Sequence, residues 1–309
     1  MQRLATLTLN PAIDSACEAE AVSPTRKIRT FGERYDPGGG GLNVARVLHR
    51  FGADVEAIYL SGGPTGALLD ELLDGIGLPR RTVPIHDHTR MSLAVYERAT
   101  GHEYRFVPEG PHIATDEGRA ARDAVLSGGY DWVIASGSLP RGLPEDFFAS
   151  LADPLNAAGT RLVVDTSGAA LRAAMARGGL FLVKPSVGEF EAWLGRSLAG
   201  HAEVAEAAQR CVAEGKAAHV AVTMGEEGAV LAHPGGVLIH PGIKAVARST
   251  TGAGDSFLAG IIDGFLRGEP LETAFHRGIA AGTAAVLHPG TDLCRIADVE
   301  RLLAQIERG

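Results

Sequence analysis

The sequence predicts an α/β fold: a mostly parallel sheet covered by helices on both faces, with a small β-sheet lid inserted into it. Three observations lead there. Short apolar runs ending in glycine or polar turns recur along the chain, the segments between them carry helical spacing, and two segments break the alternation. Strands that alternate with helices imply a parallel sheet, and a ligand then lies beyond the carboxyl ends of its strands. The whole of 1–309 reads as one α/β domain, with lid segments at about 16–35 and 91–107.

The first apolar run is "LATLTL" (4–9), closed by Pro11. Asp14 follows it and carries two readings: a grip on a sugar hydroxyl, or an Asx-turn. Residues 16–35 read as antiparallel lid strands. Next comes "YDPGGGGLNVARVLHRFG", where Val44, Val47, Leu48 and Phe51 share one helical face that stops at Gly52. Gly38, Gly39 and Gly40, having no side chains, let a sugar approach the backbone. Asn43, in the first helical turn, offers both a donor and an acceptor.

"VEAIYLSGG" (55–63) is the next buried strand, followed by the second lid segment, "MSLAVYERATGHEYRFV", with its hairpin turn at "ATGH". The runs "DWVIASGS" (131–138), "RLVVDTSG" (161–168), "LFLVKPS" (180–186) and "HVAVTMG" (219–225) continue the sheet. Near the end, "STTGAGDSFLAG" (249–260) opens a helix on a Gly-Ala-Gly turn. Free N–H groups and the helix dipole attract anions at such a place, yet the next residue is Asp255. One reading makes Asp255 a carboxylate favouring the dipole. The other makes it a general base for an alcohol attacking a phosphoryl group, which the N–H groups of Gly252, Ala253 and Gly254 hold.

The bulk numbers narrow the class. The chain has 309 residues, 45% hydrophobic and 21% charged, with a net charge of −8 that argues against nucleic-acid and anionic-membrane partners. Cys17, Cys211 and Cys294 are odd in number and far apart, so neither a disulfide framework nor a zinc site is expected, and a reducing cytoplasm is. The apolar run at the start is too short for an export signal, and no stretch reaches the length of a membrane span.

In their order and spacing, "GGGGLNVARVLHRFG" and "STTGAGDSFLAG" resemble the ribokinase-like carbohydrate kinase family. "TLTLNPAIDSA", "TGHEYRFVPEGP", "SGSLP", "LVKPSVGEFEA" and "AAGTAAVLHPGTDLC" place the chain closest to its phosphofructokinase branch. The resemblance covers essentially the whole chain. It implies a three-layer sandwich, a lid that pairs into a homodimer, and Mg²⁺ escorting ATP. The implied reaction moves the ATP γ-phosphoryl group to O1 of fructose 6-phosphate, a glycolytic step.

By position, the resemblance puts Asp14, Gly39, Asn43, Arg90, Ser138 and Asp255 at the sugar phosphate. It puts Lys184, Ser186, Glu189, Thr223, Gly225, Gly228, Thr251, Ile279 and Thr283 at ATP, with Glu189 also at magnesium. Ser249, Thr251, Ala285, His288, Gly290 and Asp292 fall where relatives bind a monovalent cation, potassium being the candidate, largely through backbone carbonyls. The family's Asn-x-x-Glu stands here as Ser186-Val187-Gly188-Glu189, which shortens the reach of the contact at 186.

Charge supplies a separate argument. ATP and a sugar phosphate bring about six negative charges into an acidic protein, and each like pair at about 4 Å costs about 4 kcal/mol at an effective dielectric of ~20. Lys27, Arg90 and Arg105, all on the expected lid, read as a phosphate clamp, with Lys27 reaching its own site or a neighbour's. Gly40 stands where relatives acting on fructose 1-phosphate usually carry Lys, which favours the 6-phosphate. Tagatose-6-phosphate kinase and 1-phosphofructokinase remain alternatives. So does a regulator that binds the sugar phosphate without turnover, although binding alone requires no base.

Overall fold

The computed structural model describes residues 2–288, 290 and 292–308. In chain order its elements are β1 (Arg3–Thr8), β2 (Ala12–Ala19), β3 (Thr30–Gly38), α1 (Gly40–Arg50), β4 (Asp54–Ser61), α2 (Gly63–Asp74), β5 (Arg80–Pro84), β6 (Arg90–Glu97), β7 (Glu103–Phe106), α3 (Thr115–Leu126) and β8 (Trp132–Ser136). There follow α4 (Ala152–Ala157), β9 (Arg161–Asp165), α5 (Gly168–Arg177), β10 (Leu180–Val183), α6 (Val187–Leu194), α7 (Gly200–Ala213), β11 (Ala217–Thr223), β12 (Ala229–His233), β13 (Gly236–His240), α8 (Ala253–Leu266), α9 (Leu271–Val286) and α10 (Ile296–Ile306).

The large sheet has nine strands in the order β13-β12-β11-β10-β9-β8-β1-β4-β5. From β11 to β5 every pairing is parallel, and β12 and β13 close one edge as an antiparallel hairpin. Successive side chains of a strand point to opposite faces, so each central strand feeds two cores. Ala5 and Leu7 pack with Val125 of α3, Leu171 of α5 and Phe190 of α6. Leu4, on the other face, packs with Val47 of α1, Leu258 of α8 and Ala281 of α9. The result is three layers, as expected. Trp132, at the start of β8, is fully buried against Phe181 and Phe265.

The second sheet has four strands in the order β3-β2-β6-β7. It differs from the sequence reading in extent and in pairing. Its strands begin at Ala12 and Arg90, ahead of the expected 16 and 91, and residues 20–29 form a link outside them. β2–β3 and β6–β7 pair antiparallel as expected, but β2 and β6 run parallel. Asp14 therefore lies in the middle of a strand, paired across to Asp36 and Ser92, and the Asx-turn reading of it fails. Among the described residues, no helix is long and apolar enough to cross a membrane.

Candidate active site

The topology selects the place. β1, β4 and β5 step outward in one direction and β8, β9, β10 and β11 in the other, so the switch point lies between β1 and β8. Just past β1, buried Asn10 donates from Nδ2 to Ser138 Oγ at 3.1 Å, just past β8, and to the Glu109 carbonyl at 2.9 Å. Its own carbonyl accepts from Arg90 Nη2 at 2.9 Å, and Arg90 Nη1 donates to the Pro108 carbonyl at 2.8 Å. One asparagine thus ties the sheet edge to the root of the lid. Of these residues the sequence reading named Ser138 and Arg90 but missed Asn10.

The glycine turn brings the start of α1 to the same edge. Gly39 caps the helix at φ 110°, a conformation open to glycine. A Cβ on Gly40 would lie 2.4 Å from Ser136 Oγ and 3.1 Å from the Gly137 nitrogen, and one on Gly38 would lie 2.3 Å from Asp14 Oδ2. The turn is packed directly on the end of β8 and on Asp14, which places Asn43 in the first turn of α1.

Facing it is the start of α8. Gly252 caps that helix at φ 74°, and no side chain caps it. Its first-turn N–H groups lie at the positive end of the dipole, a place that favours an anion. Asn43 Nδ2 donates to Asp255 Oδ2 at 2.8 Å, joining the two helix starts.

Lys184, directly after β10, lies beneath this turn. Its Nζ is 3.1 Å from Asp165 Oδ1, and a Cβ on Gly254 would be 3.3 Å from it. Burial opposes the Lys184 charge, but Asp165, Asp255 and Glu189 together hold its pKa above the usual lysine value. Asp255 moves the other way. Burial and the nearby Asp165 charge push its carboxyl up to about 6, against the Asn43 hydrogen bond and the Lys184 charge, with Asp14 adding to the rise. The reading had missed Asp165, the last residue of β9, although the strand-end rule points at that position.

Ser186 serves as the N-cap of α6. Ser186 Oγ accepts from the Glu189 N–H at 3.3 Å, and Glu189 Oε2 accepts from the Ser186 N–H at 2.8 Å. This capping box starts α6 and ties down one oxygen of Glu189. Ser186 also bridges to Thr223 at the end of β11, and the turn through Gly225 and Gly228 closes with the Met224 N–H on the Gly228 carbonyl at 2.8 Å. Ile279 is buried in α9 and Thr283 half-buried in its last turns.

Strand register divides the lid into two faces. Gly38, Ala12 and Arg90 form one row on the face that carries Asp14; Asp36, Asp14 and Ser92 form the next; Arg34, Ala16, Ala94 and Arg105 the third. Ser92 Oγ donates to Asp14 Oδ1 at 2.5 Å. Burial raises the Asp14 pKa, against that bond and the charges of Arg105, Arg46 and Arg90. Arg105 shares the inner face, while Lys27 lies exposed in the 20–29 link and is not brought to the cluster within this chain.

The residues expected at a monovalent cation are spread around the end of α9. Ser249 Oγ accepts from the Thr251 N–H at 3.2 Å, and Ala285 is buried. The His288 ring is turned to Asp298 at 3.0 Å, and a Cβ on Gly290 would meet Arg34 Nη2 at the lid edge. The Asp292 carbonyl accepts from Arg50 Nη1 at 2.7 Å, and its carboxylate pairs with Arg295 at 2.9 Å. Two guanidinium groups therefore lie against Asp292, Arg50 on its carbonyl and Arg295 on its carboxylate.

A buried carboxylate, two glycine-capped helix starts, a buried ammonium and a lid face carrying arginines are the parts that could position an alcohol against a phosphoryl group. Comparison with known proteins agrees in kind. The family model described as pfkB family carbohydrate kinase matches residues 7–298. The chain is 40% identical over 301 residues to ATP-dependent 6-phosphofructokinase isozyme 2 of Mycobacterium tuberculosis, covering 97% of this chain and 88% of the relative. It is 38% identical over 311 residues to the protein of the same name from Escherichia coli K12, covering all of both. The solved structure of Escherichia coli phosphofructokinase-2 in complex with fructose-6-phosphate superposes with a TM-score of 0.93 at 37% identity over both full chains.

Proposed function

Because this chain belongs to the pfkB family of carbohydrate kinases, we propose that it transfers the γ-phosphoryl group of ATP to O1 of fructose 6-phosphate, giving fructose 1,6-bisphosphate and ADP. One observation carries the reading: Asp255, with its pKa raised to about 6, sits in the first turn of an uncapped helix with Lys184 beneath it. Asp255 takes the proton from the sugar hydroxyl as it attacks, and the N–H groups of Gly252–Gly254 hold the migrating phosphoryl oxygens. Asn43 and Asp14 orient the sugar, and Arg90 and Arg105, on the lid face that carries Asp14, receive its phosphate. Lys184, Thr223 and the Gly225–Gly228 turn lie along the sheet edge for the nucleotide.

The residues suit Mg²⁺ arriving on the nucleotide. Among the described residues no three His, Cys, Asp or Glu side chains form a metal cage. Mg²⁺ bound to phosphates needs only one or two carboxylates and keeps several waters. Asp165 and the free oxygen of Glu189, both facing Lys184, are the carboxylates available to it. When bound, the ion offsets phosphate charge. A monovalent cation at the end of α9 is part of the proposal: the Asp292 carbonyl, which accepts one hydrogen bond from Arg50, keeps a second lone pair for it.

A homodimer through the lid is part of this proposal. On the outer face, Tyr35, Ser15, Leu93 and Phe106 lie in one register row across all four strands, and Tyr35, Leu93, Phe106 and neighbouring Met91 are exposed. A contiguous apolar face on a one-layer sheet calls for a cover.

The deciding assay is ADP release with fructose 6-phosphate, tagatose 6-phosphate, fructose 1-phosphate and no sugar, in parallel. The reading expects the highest kcat/KM with fructose 6-phosphate and almost none without sugar. Faster turnover of fructose 1-phosphate would replace it with the 1-phosphofructokinase alternative.

A further inference from the structure

We propose that Arg46 is a positioning residue: it fixes the Asn43 side-chain amide so that its NH₂ end, and not its carbonyl, faces Asp255. The inference rests on the reading of Asp255 as the base. Arg46 lies in the second turn of α1, three residues after Asn43 and so on the same side of the helix. Its Nη1 donates to Asn43 Oδ1 at 3.2 Å and to the Pro37 carbonyl at 2.7 Å. Guanidinium has only donors, whereas an amide has a donor end and an acceptor end. With Oδ1 taken by Arg46, Nδ2 is left for Asp255, where it donates at 2.8 Å. Reversing the amide would set two oxygens, one of them charged, against each other, and would turn the NH₂ group toward a guanidinium that cannot accept. The network therefore permits one orientation.

The placement of Arg46 supports a dedicated role. It is 5% exposed, on a helix whose other buried side chains are mostly apolar. A buried guanidinium needs polar partners, and Asn43 Oδ1 and the Pro37 carbonyl are two of those it has. Burial lowers its pKa to about 10, with Asp36, Asp14 and Asp292 opposing and Arg50 adding, so it remains charged at neutral pH. The Pro37 carbonyl anchors it one residue ahead of the glycine turn, which links the end of β3 to the geometry of Asn43. One oxygen of Asp255 is then held by Asn43, and the other is left for an acceptor hydroxyl.

The test is a double-mutant cycle on the full chain, with kcat and both KM values measured for Arg46→Met, Asn43→Ala, the pair together, Arg46→Lys and Asp255→Asn, each accompanied by a thermal melt. Arg46→Met should lose kcat about ten- to hundredfold, the loss expected when a partner in a buried polar network is removed. In the Asn43→Ala background the same substitution should change kcat by no more than about twofold, because Arg46 acts through Asn43. Arg46→Lys, which keeps a charged donor, should recover part of the loss, and KM for ATP should hold throughout. An equal loss in both backgrounds, or a lowered Tm with unchanged kcat, overturns the proposal. If Arg46→Met does not fold, Arg46→Lys runs the same cycle with a smaller loss and the same criterion. Asp255→Asn keeps the two claims apart. Should it retain kcat, the base reading fails; should it be inactive while Arg46 and Asn43 act additively, only the positioning role fails.

Discussion

The Asn43 amide nitrogen lies 2.8 Å from Oδ2 of Asp255, a hydrogen bond between residues 212 apart in the chain. It joins the first turns of α1 and α8, the two helices whose glycine turns are the most conspicuous local signals in the sequence. Two positive helix ends meet there, with a carboxylate between them.

The first expectation concerns the chemistry. Asp255→Asn removes the proton acceptor but preserves the shape, so kcat should fall about 10²–10⁴-fold while ATP binding, read by calorimetry, stays near wild type. A kcat within a few fold of wild type would remove Asp255 as base.

The second expectation concerns stability. An Asp whose folded pKa is raised binds its proton more tightly in the folded state. It therefore contributes no penalty below the unfolded value of 3.8 and a growing one as pH rises through about 6. Above pH 6 the buried charge, with Asp165 and Asp14 nearby, destabilises the fold. Asp255→Asn should thus raise Tm by a few degrees at pH 7.5, and the difference should shrink as pH falls from 6 towards 4. A gain that grows on acidification would contradict the shift. In the same window the free enzyme's kcat/KM should rise with pH, since only the ionised carboxylate accepts a proton.

The third concerns the lid. Arg90 braces the Asn10 and Pro108 carbonyls at the root of the sheet, on the lid face that carries Asp14. Arg90→Ala should raise KM for the sugar phosphate by about tenfold or more, with KM for ATP little changed. A change seen only in the ATP term would refute the clamp.

The fourth concerns the glycine turn. In Gly40→Ala the new methyl meets backbone at 3.1 Å and 3.3 Å on Gly137, and backbone cannot swing aside as Ser136 Oγ can. The turn must shift by a fraction of an ångström or more, and kcat should drop at least about tenfold. Gly188→Ala, where the added Cβ meets nothing within 4 Å, is the control and should be close to neutral. Equal behaviour of the two would show that the approach of α1 to β8 has no catalytic weight.

The two core layers were legible because apolar runs such as "DWVIAS" and "HVAVT" need no context to read as buried strands. β5 was not, since it opens on Arg80 and Arg81 and is an edge strand; the β12–β13 hairpin was passed over. The parallel pairing of β2 with β6 joins segments far apart in sequence, and no local pattern encodes it. Within the site, Asp255 and Asn43 stood out because glycines surround them. Arg46 did not. By spacing it reads as a charge on a solvated helix face, and only packing shows that the face is covered.

The lid is a single layer of strands, with Asp14, Arg90 and Arg105 on one surface and Leu93 and Phe106 on the reverse, alternating along the same backbones. A sheet of that thickness cannot be bent on one side and left flat on the other. Whatever rests on the reverse sets the curvature with which the arginines meet the sugar. If a second copy is what rests there, dilution that strips it away would weaken sugar affinity in step with subunit loss.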